Sequence, residues 1–260
     1  MSNVLGIIAE YNPFHNGHLQ HLIESKKITN SDYTVAIMSG NFTQRGEFSI
    51  VDKWSKTQMA IENGIDLVIE LPTLYAISSA ENFASGAIKI LNSLGIINFI
   101  SFGSECNDIS ILNKIADVLS AEPCEYKTLL AHELSKGISF PKAREHALMM
   151  YLNDIYKFAN VLSTPNNILG IEYLKALKKQ KSNIHPISIK RKGSSYNDNV
   201  IPLGSRIASA SAIRNICQST DITSLKKVMP ENSYNFLETN IKKGKMVKKI
   251  LSMDLIAMAG

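Results

Sequence analysis

The sequence predicts an α/β protein: a doubly wound parallel sheet with helices on both faces, a helical insertion and a short helical C-terminal extension. Three observations carry that expectation. Short apolar runs recur about every thirty residues, amphipathic stretches lie between them, and Gly punctuates the ends of those stretches, which together give the βαβ rhythm. The 260 residues, 45% hydrophobic and 20% charged, exclude a disordered or collagen-like chain and suffice for a full core. Cys106, Cys124 and Cys217 are widely spaced and form no CxxC pair, so neither a disulfide framework nor a zinc site is expected and a reducing cytosol fits. No apolar stretch approaches the 18 residues of a membrane span, and the N-terminus lacks the basic region and small-residue cleavage site of a signal peptide.

Taken in order, Val4–Ala9, Thr34–Met38, Asp66–Glu70 and Phe99–Phe102 read as strands. Gly17–Lys27, Asp52–Asn63 and Ala80–Leu94 carry apolar residues at helical spacing, with Asn63-Gly64 and Leu94-Gly95 as stops. Asp108–Ala159 is helical by pattern with a loop at Gly137–Pro141, and a further helix starts at Pro165 and runs to about Lys179. Ile184–Ile189 is a fifth strand candidate, followed by a polar loop, Lys190–Arg206, and a short helix from Ser209. The expected division is a main α/β unit over residues 1–217 and a basic helical segment over 218–260, ending in the apolar LSMDLIAMAG.

Charge is unevenly spread. Residues 1–186 hold 16 Lys and Arg against 18 Asp and Glu, whereas residues 187–260 hold 12 against 5. Such an imbalance marks either a phosphate or nucleic-acid surface or a solvated lysine-rich helix, and the run Lys242, Lys243, Lys245, Lys248, Lys249 leaves both readings open.

The chemistry concentrates at strand ends. After the first strand, His15-Asn16-Gly17-His18 opens a helix, and the crevice beyond parallel strands is where an α/β sheet takes its ligand. Free N–H groups and the positive end of the helix dipole would suit phosphate there, and two imidazoles could donate to a phosphoryl group whose charge grows during displacement. Gly17 would permit close approach of a ligand; the plainer reading is that His15 caps the helix and His18 packs on it. Metal ligation is the weaker idea, because no third His, Asp or Glu stands in the motif. Met38–Glu47 mixes Gly, amides and Arg45 after the second strand, and Ser101–Glu105 follows the fourth, so three strand ends aim small or polar residues at one crevice. Ser209-Ala210-Ser211-Ala212-Ile213-Arg214 adds two hydroxyls and a guanidinium suited to the β and γ phosphates. Walker A, GxGxxG, GxSxG and HExxH motifs are absent.

HxGH with the late Ser-x-Ser-x-Ile-Arg resembles the HIGH-type nucleotidylyltransferase superfamily, whose fold is Rossmann-like. Taken in order, GIIAEYNPFHNGH, MSGNFTQRGE, GIDLVIELP, FGSE, PNNILGIEYL and IASASAIR are similar to the tRNA(Met) cytidine acetate ligase family, over residues 1 to about 217. The resemblance implies an ATP-dependent ligase that forms acetyladenylate from acetate and ATP. The acetyl group then passes to N4 of the wobble cytidine of elongator tRNA(Met), in the cytoplasm. It implies an ATP site at Ile7-Ile8-Ala9-Glu10-Tyr11-Asn12-Pro13-Phe14-His15-Asn16-Gly17-His18-Leu19-Gln20, with Gly103, Asn166 or Asn167, Arg191, Ser209, Ser211 and Arg214. Within it, His15 and His18 would be the catalytic pair. Magnesium is expected with ATP, without a visible protein ligand. Two positions depart from the family pattern: Glu47-Phe48 where Glu-Pro is expected, and Lys56 where Arg is usual. Glu10 and Asp52 are the carboxylates near enough in sequence to act as bases. An adenylyltransferase acting on a small metabolite and a non-catalytic nucleotide- or RNA-binding remnant are the alternatives.

Overall fold

The computed structural model describes residues 2–153, 158, 161–191, 204–219 and 221–247. Five strands, β1 (Val4–Ala9), β2 (Tyr33–Ser39), β3 (Leu67–Leu71), β4 (Phe99–Ser104) and β5 (His185–Lys190), form one sheet in the order β3-β2-β1-β4-β5. Every neighbouring pair is parallel, from Val4 opposite Tyr33 to Phe99 opposite His185. Chain order runs outward from β1 in both directions, which is the doubly wound arrangement expected. The reversal falls between β1 and β4, so the crevice opens at their C-terminal ends.

Period-2 alternation divides the strands between two cores. Leu5 and Ile7 of β1 lie with Ala36 and Met38 of β2 in one buried cluster, while Val4, Val35 and Ile37 belong to the other. The face holding Val4 is covered by α4 (Ala80–Leu94), α5 (Ile109–Ala121) and α8 (Pro165–Lys179), through Phe83, Leu91, Leu112, Ile115 and Leu174. The opposite face takes α1 (Asn16–Thr29) and α2 (Lys53–Glu62), together with α10 (Glu231–Lys242). Ile222, Leu225, Val228, Tyr234 and Leu237 sit in the same core as Leu5 and Ile7, so residues on both sides of the boundary expected after 217 share one apolar interior.

The helices end where the sequence says they should. Asp52 caps α2 by accepting from Ser55 N at 2.9 Å, and Gly95 closes α4 in the left-handed conformation (φ 68°). Over its described residues to Asn153, the stretch expected to be helical from Asp108 to Ala159 is broken into three helices. Glu122 turns left-handed and Pro123 follows it, which separates α5 from α6 (Cys124–Ser135), and α7 spans Phe140–Tyr151. The loop expected to extend to Pro141 ends earlier, because proline suits the first helical turn, where its missing N–H is not needed. A short helix, α3 (Thr73–Ala76), was not expected. Residues 192–203 of the expected polar loop and the terminal LSMDLIAMAG lie outside the described residues, as do Lys248 and Lys249.

Candidate active site

At the end of β1 the chain turns into α1, and His15 is extended at the helix N-cap (φ −140°, ψ 173°). Its Nδ1 accepts from Gly17 N at 3.0 Å, while His15 N donates to His18 Nδ1 at 3.3 Å, and the two rings stack with centroids 3.7 Å apart. A ring nitrogen that accepts from a backbone N–H carries no proton, so in each neutral imidazole the proton must sit on Nε2. Neutrality follows from the surroundings. Burial, then the Arg191 and Arg214 charges, bring His15 down to about 3. Burial, His15, Arg191 and His21 hold His18 well below the usual histidine range. The capping reading of HxGH holds for one nitrogen of each ring: Nδ1 fixes the turn, and Nε2–H is left as the donor on which the chemical reading would depend.

Two expectations change. The first N–H groups of α1 are not free for a ligand: Asn16 N donates to Val228 O, Gly17 N to His15 Nδ1, and His18 N to His15 O at 2.9 Å. Only the dipole and the side chains remain to meet an anion. Nor does Gly17 chiefly make room for a ligand, since a Cβ there would lie 2.9 Å from His15 Cε1; glycine is needed so that the imidazole can fold back on its own helix.

His15 and His18 open onto a cavity of about 470 Å³, floored by Ile7, Ile8 and Ala9 of β1. The loop after β2 forms one wall, where Gln44 N donates to Glu10 Oε1 at 2.6 Å and Gln44 Nε2 to Ser78 O at 2.7 Å. Beneath that loop Lys56 is fully buried. It donates to Ser39 O (2.8 Å), Gly40 O (2.9 Å) and Ser49 Oγ (3.2 Å), and its burial lowers it to about 8 despite the opposing pull of Glu10 and Glu70. Lysine at this departure from the family pattern thus serves as an anchor for carbonyls. On the far wall α9 (Ala210–Ile216) is capped by Ser209, whose Oγ accepts from Ala212 N at 3.0 Å. Arg214 donates from Nη1 to Asn12 O at 3.2 Å and from Nη2 to Ser211 Oγ at 3.1 Å. Arg191 reaches the same cavity from the end of β5 and passes over Gly103, where a Cβ would meet Arg191 Cγ at 3.1 Å.

The profile of the family described as HIGH Nucleotidyl Transferase matches residues 2–259. The chain belongs to the HIGH Nucleotidyl Transferase family. Over 240 residues it is 53% identical to the tRNA(Met) cytidine acetate ligase of Thermoanaerobacter sp. (strain X514), covering 92% of this chain and 59% of that protein. It is 52% identical over 238 residues to the Acetivibrio thermocellus protein of the same name, covering 90% and 57%. Among solved structures it is similar to apo Thermotoga maritima TmcAL, at 40% identity and a TM-score of 0.90, covering 94% of this chain and 58% of that one. The same TmcAL bound with alpha-thio ATP matches with a TM-score of 0.86. The chain spans less than two thirds of the length of these relatives.

In this HIGH Nucleotidyl Transferase chain most of the expected ligand residues meet at the cavity: Ile7 through Asn12, His15, Gly17, His18, Gln20, Gly103, Asn166, Arg191, Ser209, Ser211 and Arg214. Others turn away from it. Phe14 is fully buried in the core, Leu19 packs against that core, and Asn16 Nδ2 donates to Arg206 O and Lys227 O. Pro13 is likewise not among the cavity residues. Of the two asparagines left open, Asn166 lines the cavity, whereas Asn167 Oδ1 accepts from Ser104 Oγ, Glu105 N and Cys106 N and so shapes the turn after β4. Asp52 is spent on capping α2; of the two expected carboxylates Glu10 reaches the cavity, where Glu24 and Glu47 also lie. Sequence reasoning missed His21, whose Nε2 lies 3.0 Å from Ser101 Oγ, although its place one turn after His18 puts it on the same helix face. It also missed Phe83 and Tyr173, which come to the cavity from two distant elements with no local signal.

Proposed function

We propose that the chain activates acetate with ATP and passes the acetyl group to N4 of the wobble cytidine of elongator tRNA(Met), in the cytoplasm. One observation carries the reading. Two neutral imidazoles, each fixed as the Nε2–H tautomer, share with Arg191 and Arg214 the mouth of one cavity at the switch point of the sheet. The names of the curated relatives and the alpha-thio ATP bound by TmcAL support it.

In this reading an acetate oxygen attacks the α-phosphorus, the bond to the bridging oxygen breaks, and pyrophosphate leaves. His15 and His18 donate to the phosphoryl oxygens without giving up a proton, while the guanidinium of Arg214, steadied by Asn12 O and Ser211 Oγ, receives the departing charge. The amine of cytosine N4 then attacks the acetyl carbonyl and AMP leaves, with one proton released. Glu10 lies in the cavity to accept it. Magnesium accompanying ATP would supply charge neutralisation at the phosphates. No helix among the described residues is long and apolar enough to cross a membrane.

The test is acetate-dependent pyrophosphate release from ATP, with and without tRNA, followed by mass spectrometry of the recovered nucleosides. Release with acetate and new N4-acetylcytidine is the expected result. Release that ignores acetate, or that survives His15→Ala/His18→Ala, overturns the reading.

A further inference from the structure

Trp54 is the only tryptophan in the chain, and it stands 74% exposed in the first turn of α2. Leaving so large an apolar ring in water is costly, and α2 does not need it, since the helix packs through Met59 and Ala60. Its neighbours are cationic. Lys53 Nζ lies 5.4 Å from the indole centroid. The last turn of α10 and the segment after it come alongside, through Ser55 Oγ donating to Asn240 Oδ1 and Val247 N donating to Ile50 O at 3.0 Å. This brings the exposed Lys242, Lys243 and Lys245 to the same end of α2. Lys245 is near enough to act on Asp52, where burial is opposed by the Ser55 and Trp54 hydrogen bonds and by this ammonium, so that the carboxyl falls below its ordinary value. The patch is also joined to the cavity wall: Lys53 N donates to Asn41 Oδ1 at 2.8 Å, at the start of the loop that carries Thr43, Gln44 and Arg45.

We propose that Trp54, with Lys53, Lys243 and Lys245, is a platform for a single-stranded RNA loop, an unpaired base stacking on the indole while the ammonium groups meet its flanking phosphates. An exposed ring beside cations is what unpaired nucleic acid uses, because each nucleotide offers a π-face and a negative charge together. A protein segment covering the same ring would leave the surplus ammonium without a counter-charge: Lys53 pairs with Glu70 and Lys242 with Glu238, but Lys243 has no carboxylate partner at bonding distance among the described residues. The inference rests on RNA being the acetyl acceptor and places that acceptor on a stated edge of the site.

The single tryptophan makes the test direct. Intrinsic fluorescence of the 260-residue chain is titrated with an RNA stem-loop carrying an unpaired seven-base loop, with heparin as a base-free polyanion. Quenching by the stem-loop and not by heparin is expected. Trp54→Ala should weaken stem-loop binding, read by anisotropy of a labelled RNA, roughly tenfold, and Lys243→Ala/Lys245→Ala should flatten the salt dependence by about one to two in log–log slope. Acetate-dependent pyrophosphate release without RNA should be unchanged in both variants, which shows that they are folded. Equal quenching by heparin, no quenching at all, or shielding of Trp54 only in a self-associated species overturns the proposal. If the chain makes N4-acetylcytidine and Trp54→Ala makes it equally well at limiting tRNA, the platform fails and the ligase reading stands. If the stem-loop quenches but no acetylcytidine forms, the platform stands and the ligase reading fails.

Discussion

In His15 and His18 the two nitrogens of each ring are set apart, Nδ1 holding the turn and Nε2–H left to donate, and that division was out of reach of the sequence. HxGH declares two imidazoles and a glycine at a helix start; it does not declare that Gly17 N and His15 N lock both Nδ1 atoms as acceptors. Because His15 is neutral when folded and titrates at its ordinary value when unfolded, the unfolded chain binds the extra proton first as pH falls. The contribution of His15 is therefore unaffected above about pH 6.5 and lost below it, by about 1.4 kcal/mol per pH unit until the folded value near 3 is reached. Urea denaturation between pH 7.5 and 4.5 should show this slope, and His15→Asn should reduce it. The same neutrality predicts no histidine inflection in the rate of adenylate formation between pH 5.5 and 8. Removing either Nε2–H donor, as in His18→Ala, should lower that rate by roughly a hundredfold or more, measured as pyrophosphate release at saturating ATP.

At the level of elements the strands were the most legible part, because apolar runs and glycine stops are local signals, and all five stand within a residue or two of where the pattern puts them. What periodicity could not supply is how tightly elements approach one another. Gly86 looks like an ordinary weak point inside α4, where alanine would raise helix propensity by about 1 kcal/mol. In the fold its α-carbon faces the ring of Tyr75 from α3, and a Cβ would come within 2.4 Å of Cγ, the root of that ring and not its free end. Gly86→Ala should therefore destabilise the protein by about 1–3 kcal/mol, against the propensity trend, as read from the midpoint of thermal unfolding. A neutral or stabilised variant would mean that α3 shifts freely on α4. Lys56 teaches the same lesson in reverse: a charged residue on a predicted helix reads as solvent-facing, and only the carbonyls of Ser39 and Gly40 arriving from β2 explain its complete burial.

For the whole molecule, the line expected at residue 217 follows the last of the family motifs, which mark a ligand site and not an interior. The interior follows no such line, since Ile222, Leu225, Val228, Tyr234 and Leu237 complete the core beneath β1. Ending the chain at residue 217 should expose that apolar face and give an aggregated product without a cooperative unfolding transition, tested by circular dichroism of the soluble fraction. A well-folded fragment would show that the face can close by itself. The order of the strands has a further consequence for how this molecule comes into being. Strand β1 precedes the other four strands and ends up in the centre, yet its partner β4 begins at Phe99 and the core beneath it is completed only beyond Ile222. At roughly 5–20 residues per second of synthesis, its apolar residues wait several seconds for a neighbour on one side and longer for a cover. The segment bearing His15 and His18 thus leaves the ribosome well before the residues that enclose it, and its apolar strand stays open to other nascent chains until Ile222, Leu225 and Leu237 have followed.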